Sequence, residues 1–203
     1  MFAMFRSFLL GIVALVLGGC ASSGQMIKST NQTLTNASEN HAQIIFMRSS
    51  FVGAAISASV FEITNGKPEF LGLVEDDTKI AVNATPGKHL YMVVSEAADF
   101  LEADVAAGKT YYSVVTARMG MWKARFSLWP VTNTSGKEFS WDSKDVQKML
   151  MKTVLVENTD KSKQWAQHNN SDITSKYNEY WPVWQQKSAE DLKERTLSIQ
   201  DGR

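Results

Sequence analysis

From about residue 42 to residue 132 the chain alternates short apolar runs with turn residues. Gln43–Met47 comes first. Ala55–Ile63 follows, with Ile56, Ala58 and Val60 set against Phe61 and Ile63. It stops at Asn65-Gly66-Lys67-Pro68, a hairpin signal because Asn and Gly accept the positive φ that tight turns need. Phe70–Val74 leads into the acidic turn Glu75-Asp76-Asp77, and Lys79–Ala84 stops at Thr85-Pro86-Gly87. Leu90–Val94 and Phe100–Val105 come next, then the turn Ala107-Gly108-Lys109. Tyr111–Ala117 and Ala124–Val131 complete the set. The spacing predicts about seven to eight short strands, rich in β-branched and aromatic residues, hence a mainly β chain folded as an antiparallel β-sandwich or barrel. No long helical period lies between the runs, which argues against a parallel α/β sheet. Gly53, Gly72 and Gly120 suit bulges or bends.

After Pro130 the period lengthens. Asp142 or Ser143 can cap a helix on which Val146, Met149, Leu150 and Val154 share a face. Asn158-Thr159-Asp160 breaks that run. Ser171 or Asp172 can start a second helical stretch through Tyr177 and Tyr180. Pro182 lacks an N–H and suits the first turn of a last helix through Trp184, Leu192 and Leu197. Residues 133–203 are therefore predicted as a C-terminal α-helical extension to a sandwich at 42–132.

The N-terminus has a third pattern. Arg6 precedes an apolar run from Phe8 to Leu17, followed by Gly18-Gly19-Cys20. A basic start, about ten apolar residues and a small-residue exit make a secretory signal, and the run is too short for a membrane-spanning helix. Residues 21–41 are dominated by Ser, Thr, Asn and Gln. They read as a flexible tether with a typical reach of about 25 Å.

Composition narrows the classes. The 21 Lys+Arg balance 21 Asp+Glu, which argues against a nucleic-acid binder. The single Cys excludes an internal disulfide and any four-Cys metal site.

Leu17-Gly18-Gly19-Cys20 resembles the lipobox of bacterial lipoproteins. The resemblance implies cleavage between Gly19 and Cys20, removing residues 1–19. It also implies a diacylglycerol on the Cys20 thiol and an acyl chain on the new amino group. Such multiple acylation anchors stably where a single chain does not. Ala21, in place of the Asp associated with inner-membrane retention, implies the periplasmic face of a Gram-negative outer membrane. Residues 20–203 then carry 20 basic against 21 acidic side chains, a net charge of −1. A second resemblance runs over about 90 residues. Phe70-Leu71-Gly72, Thr85-Pro86-Gly87-Lys88-His89 and Ala107-Gly108-Lys109-Thr110-Tyr111-Tyr112 resemble a bacterial lipoprotein domain of unknown function, similar to PEGA and transthyretin-like β-sandwiches. Arg48 corresponds to the Arg of that domain's first strand. The resemblance implies a small sandwich and carries no catalytic residues.

Catalytic constellations are not visible in the sequence. His41, His89 and His168 form no spaced pair, so no metal site is expected. Glu75-Asp76-Asp77 lacks the spacing of a calcium loop and reads as a solvated turn. No nucleophile elbow or phosphate loop occurs. No small-molecule cofactor is expected beyond the lipid on Cys20. What remains is a crowd of aromatics: Trp165, Tyr177, Tyr180, Trp181 and Trp184, with Trp122, Trp129 and Trp141 around the last strand. They either pack the helices onto the sandwich or form a flat contact surface, with Tyr177, Tyr180, Trp181 and Trp184 as candidate contacts. The expected role is non-catalytic, structural or protein-binding, with the membrane and an envelope protein as partners. A glycan-binding module for peptidoglycan or lipopolysaccharide is the alternative, and an envelope hydrolase the third reading.

Overall fold

The computed structural model describes residues 24–50, 52–121 and 124–203. Cys20, Gly19 and Trp122 lie outside them. Eleven strands occur among the described residues. A six-stranded sheet has the order β1-β10-β5-β2-β8-β9, built from β1 (Met26–Lys28), β10 (Val154–Asn158), β5 (Thr78–Ala84), β2 (Ala42–Arg48), β8 (Thr110–Met119) and β9 (Ala124–Pro130). A five-stranded sheet has the order β11-β7-β6-β3-β4, built from β11 (Thr196–Leu197), β7 (Ala98–Val105), β6 (Gly87–Val94), β3 (Ala58–Thr64) and β4 (Lys67–Val74). Ile44, Phe46, Val60, Val93, Leu101, Val115 and Phe126 meet between them in one buried core.

The local turn signals act as expected. Asn65 and Gly66 have φ of 52° and 74°, and Thr64 pairs with Lys67 across the β3–β4 hairpin. Gly72 sits beside a bulge: Val60 pairs with Gly72 and Phe61 with Phe70, leaving Leu71 as the extra residue. The Leu71 carbonyl accepts a hydrogen bond from Asn158 Nδ2 (2.8 Å).

The sheets are mixed, which corrects the antiparallel expectation. β2 pairs parallel to β8, β10 to β5, and β11 to β7. After β2 the chain crosses to the other sheet for β3 and β4, and it returns to β2 only at β5 and β8. A return that starts from the same end is parallel. The strand count is also higher than the predicted seven to eight, because segments outside 42–132 join the sheets. β1 comes from the stretch read as a tether, and β10 and β11 from the stretch read as helical. Val154 continues the apolar period of the preceding helix, yet it opens a strand opposite Thr78.

Among the described residues four α-helices pack outside the sandwich. α1 (Lys144–Lys152) and residues 131–141 cover the six-stranded sheet, placing Val131, Phe139, Trp141 and Val146 on Met47 and Val114. α2 (Asp160–His168), α3 (Asn170–Gln185) and α4 (Ala189–Glu194) cover the five-stranded sheet. There Ile173 and Trp184 pack on Phe61, Met92 and Phe100. Covering layers explain β2: all seven of its residues are buried because both faces of its sheet are occupied. α2 is an additional helix that starts at a reciprocal cap between Thr159 and Ser162, within the expected break. The stretch expected from Ser171 or Asp172 is α3, which starts at Asn170 with Asn169 as its cap. Pro182 lies inside α3 instead of opening a new helix. It falls in the last turn, where the lost backbone bond is offset by burying Trp184 two residues on, at 3% exposure.

Two clasps tie the layers together. Arg48 is fully buried at the end of β2. Its Nη1 donates to Ile56 O (2.6 Å), its Nη2 to Gly53 O (2.6 Å) and Val52 O (3.2 Å). The guanidinium also lies 4.5 Å from the Phe126 ring. Burial lowers the Arg48 pKa, and the charges of Asp76 and Glu75 pull it back up. The acidic turn is thus not simply solvated. Asp76 accepts from Ser50 N (2.7 Å), Asp77 from Ser49 Oγ (2.7 Å) and Glu75 from Ser57 Oγ (3.1 Å), which fastens the 49–57 loop from its other side.

The second clasp is the end of the chain. Arg195 is buried, and its Nε donates to Leu128 O of β9 (2.8 Å). Its Nη2 donates to the Asp99 carboxylate and to Phe100 O of β7 (3.3 Å). The guanidinium sits between the rings of Trp129 (4.3 Å) and Trp184 (5.2 Å). Beyond it, Leu197 enters the core, and Arg203 exchanges two backbone hydrogen bonds with Thr110 (2.7 and 3.0 Å).

Candidate functional site

The outer face of β6 and β7 is only partly roofed. α3 covers it at Phe100 and leaves it open toward the ends of the strands near Gly87 and Val105. The result is a cleft of about 870 Å³ whose lining includes Glu62, Lys88, His89, Glu102, Asp104 and Trp181, with Ser198 and Gln200 from the C-terminal segment. Strand alternation places the acids: Leu101, Ala103 and Val105 point into the core, so Glu102 and Asp104 point out. Both are half-buried and make no ion pair among the described residues. Trp181 supplies a half-buried indole against Phe100, with ring centroids 5.2 Å apart.

At the rim, β3 and β6 bring Glu62 and His89 together. His89 Nδ1 lies 2.6 Å from Glu62 Oε1, and Nε2 lies 2.7 Å from Thr85 O. A carboxylate and a carbonyl are both acceptors, so both contacts are satisfied together only when both ring nitrogens donate, which favours the imidazolium form. The hydrogen bond to Glu62 raises the His89 pKa above 6.5, burial opposes the rise, and the Thr85 carbonyl reinforces it. The ring stacks on Tyr91 at 5.9 Å. Burial pushes the Tyr91 pKa far up, the Glu62 charge adds to the shift, and the phenol remains neutral. The Tyr91 hydroxyl finds no partner among the described residues.

The sign of the His89 effect is fixed. A raised folded-state pKa stabilises the fold fully below the unfolded value of 6.5, and that contribution disappears as pH rises through the folded value. The urea midpoint should therefore fall as pH increases above 6.5, and His89→Gln should flatten the profile. A midpoint that rises over the same window would contradict the paired imidazolium.

A second groove, of about 780 Å³, lies between residues 129–139 and α4, lined by Trp129, Pro130, Phe139, Lys193 and Glu194 among others. It is less polar than the first and holds no histidine. Among the described residues no group of three or more His, Cys, Asp or Glu could hold a metal ion. No described helix is long and apolar enough to cross a membrane.

The four aromatic candidates split. Trp184 is buried against Phe100 (5.6 Å). Tyr177 meets the edge of Phe100 (6.2 Å) and stacks on Trp181 (6.3 Å). Tyr180 packs into the same cluster. Only Trp181 of the four also lines the cleft. Sequence reasoning did not single out Glu102, Asp104 or the Glu62–His89 pair. The outward alternation of Glu102 and Asp104 was a usable signal, whereas the pairing of Glu62 with His89 required the strand register. A search against protein-family models and a search of curated proteins each give no match to the chain.

Proposed function

We propose that the chain is a lipid-anchored envelope lipoprotein, held through Cys20 at the periplasmic face of an outer membrane, with a non-catalytic binding role. The anchor is supported by Leu17-Gly18-Gly19-Cys20 at the exit of the apolar run. The structure adds a constraint on its geometry: Thr159 Oγ1 donates to Gln25 O (2.6 Å), so the chain is docked from Gln25 onward. The five residue steps from Cys20 to Gln25 span at most ~18 Å even when fully extended. The anchored sandwich would thus lie close to the bilayer instead of on a long tether.

The binding role is carried by one observation, the cleft under Trp181 with the carboxylates of Glu102 and Asp104, which make no ion pair among the described residues. An envelope protein presenting a basic side chain there would meet Glu102, Asp104 and the Trp181 face, with Lys88 across from Asp104 and the Glu62–His89 pair at the rim. A glycan is the second reading, because an indole face beside carboxylates suits a sugar's C–H face and hydroxyls. Cys20→Ser should move the protein from the membrane to the soluble fraction, and unchanged fractionation would refute the anchor. Glu102→Gln with Asp104→Asn should weaken partner crosslinking or peptidoglycan retention at least tenfold without changing Tm. If both bindings survive the double substitution, the cleft is not the binding site.

A further inference from the structure

The Glu62–His89 pair lies in the lining of the same cleft that carries Glu102 and Asp104. Across the β6–β7 ladder, Lys88 faces Asp104 and Leu90 faces Glu102. His89 lies opposite Ala103 and turns the other way, onto fully buried Tyr91. Residues from both faces line the cleft, so it wraps round the strand ends.

The ring is held from two sides. Its side chain is 9% exposed, and that of Glu62 is 24% exposed. Nδ1 meets Glu62 Oε1 and Nε2 meets Thr85 O, both at hydrogen-bond distance. A neutral imidazole carries one N–H, so one of these contacts would set a lone pair against an oxygen. Loss of the proton therefore breaks one contact and leaves the Glu62 charge uncompensated. The groups around the ring do not replace the lost charge. Phe46 packs on Tyr91 from the opposite sheet (5.2 Å) and is uncharged. Burial raises the pKa values of Tyr91 and Tyr111, so both phenols stay neutral. Lys109 donates to Ile199 O (3.1 Å), and the Asp201 carboxylate accepts from Ser198 and Asn133. The Glu62 hydrogen bond does most to raise the His89 pKa, and the Asp104 charge on β7 adds to the rise. Three carboxylates, Lys88 and the imidazolium give the cleft lining a net charge of −1, and with a neutral ring that charge is −2.

We propose that His89 gates the cleft by charge: the imidazolium weakens capture of a basic side chain, and its deprotonation strengthens it. The gate rests on the reading of the cleft as a site for a cationic partner. At the effective dielectric of a protein surface, with salt screening, one unit charge within a cleft is worth about three- to tenfold in affinity. The coupling is reciprocal, so a bound cation must also lower the affinity of His89 for its proton.

The test uses the full chain labelled with fluorotryptophan and a defined probe, the peptide acetyl-Gly-Lys-Gly-amide, whose lysine titrates at about 10.4. The His89 midpoint is read from its ring Cε1–H resonance, and binding from the fluorine signal of Trp181. The peptide should bind about two- to fivefold tighter one pH unit above that midpoint than one unit below it. Saturating peptide should lower the midpoint itself. In His89→Gln the affinity should be the same at both pH values. Glu62→Gln should keep the step but move it to lower pH, because the imidazolium loses its carboxylate. A step that persists in His89→Gln, or a midpoint unmoved in Glu62→Gln, would overturn the gate. So would a wild-type affinity independent of pH; if binding is still lost in Glu102→Gln with Asp104→Asn, the cleft remains the binding site. Absence of peptide binding at either pH, or binding that survives the double substitution, would overturn the cleft reading and the gate together.

Discussion

Replacing Arg195 by Leu is expected to destabilise the fold by about 3–5 kcal/mol, the cost of leaving a buried charge without its partner. The Asp99 carboxylate would remain buried, and the carbonyls of Leu128 and Phe100 would lose their donors. Arg195→Lys should recover little, because one ammonium cannot reach a carboxylate and two carbonyls in different sheets. Asp99→Leu combined with Arg195→Leu should recover much of the loss, since it removes both charges together. Urea unfolding of the three variants checks the scheme, and a loss below about 1 kcal/mol for Arg195→Leu would show that the clasp is not needed. The neighbouring Gly202 gives an independent probe of the same segment. A Cβ there would stand 2.5 Å from the Tyr111 ring, so Gly202→Ala should also lower the midpoint.

The second large effect is expected at Arg48. Arg48→Met keeps the volume and the contact with Phe126 but removes the donors to Ile56, Gly53 and Val52. Each carbonyl that stays buried without a partner costs about 1–3 kcal/mol, and part of the loop can turn to water. A loss of about 2–4 kcal/mol follows, with faster proteolysis inside 49–57. Unchanged stability with a slow-cleaving loop would mean that Ser49, Ser50 and Ser57 hold the segment alone.

The legible parts of the fold were those written locally. Asn65-Gly66 specified its hairpin, and Ala107-Gly108-Lys109 marked its turn by residue type. The mainly β character followed from period-two alternation in Ile80, Val82 and Ala84 and its neighbours. Pairing partners are different, because nothing in β2 records that β8 lies parallel beside it after five intervening strands. β10 escaped for a related reason: Val154, Leu155 and Val156 are equally compatible with a helix face, and only the free edge of β5 decides. The covering layers were half visible. Trp165, Tyr177 and Trp184 announced an apolar helical face, but not the sheet it would cover. The cleft was the least legible feature, since Glu62, His89 and Asp104 come from three strands and become neighbours only through register.

The three-residue strand β1 has a mechanical consequence for the proposed anchor. Tension applied through Cys20 would enter the sandwich at Gln25 and reach the β1–β10 ladder from its end. Loading an antiparallel ladder from one end opens its hydrogen bonds in succession instead of all together. β1 would then yield before the core strands, and so would the contacts of Ser29 and Gln32 with Leu155. The chain up to Ala42, where fully buried β2 begins, would pay out as slack. Seventeen residues, 25–41, extend to about 55–60 Å at full stretch. The same polar segment is thus docked structure at rest and extensible line under load.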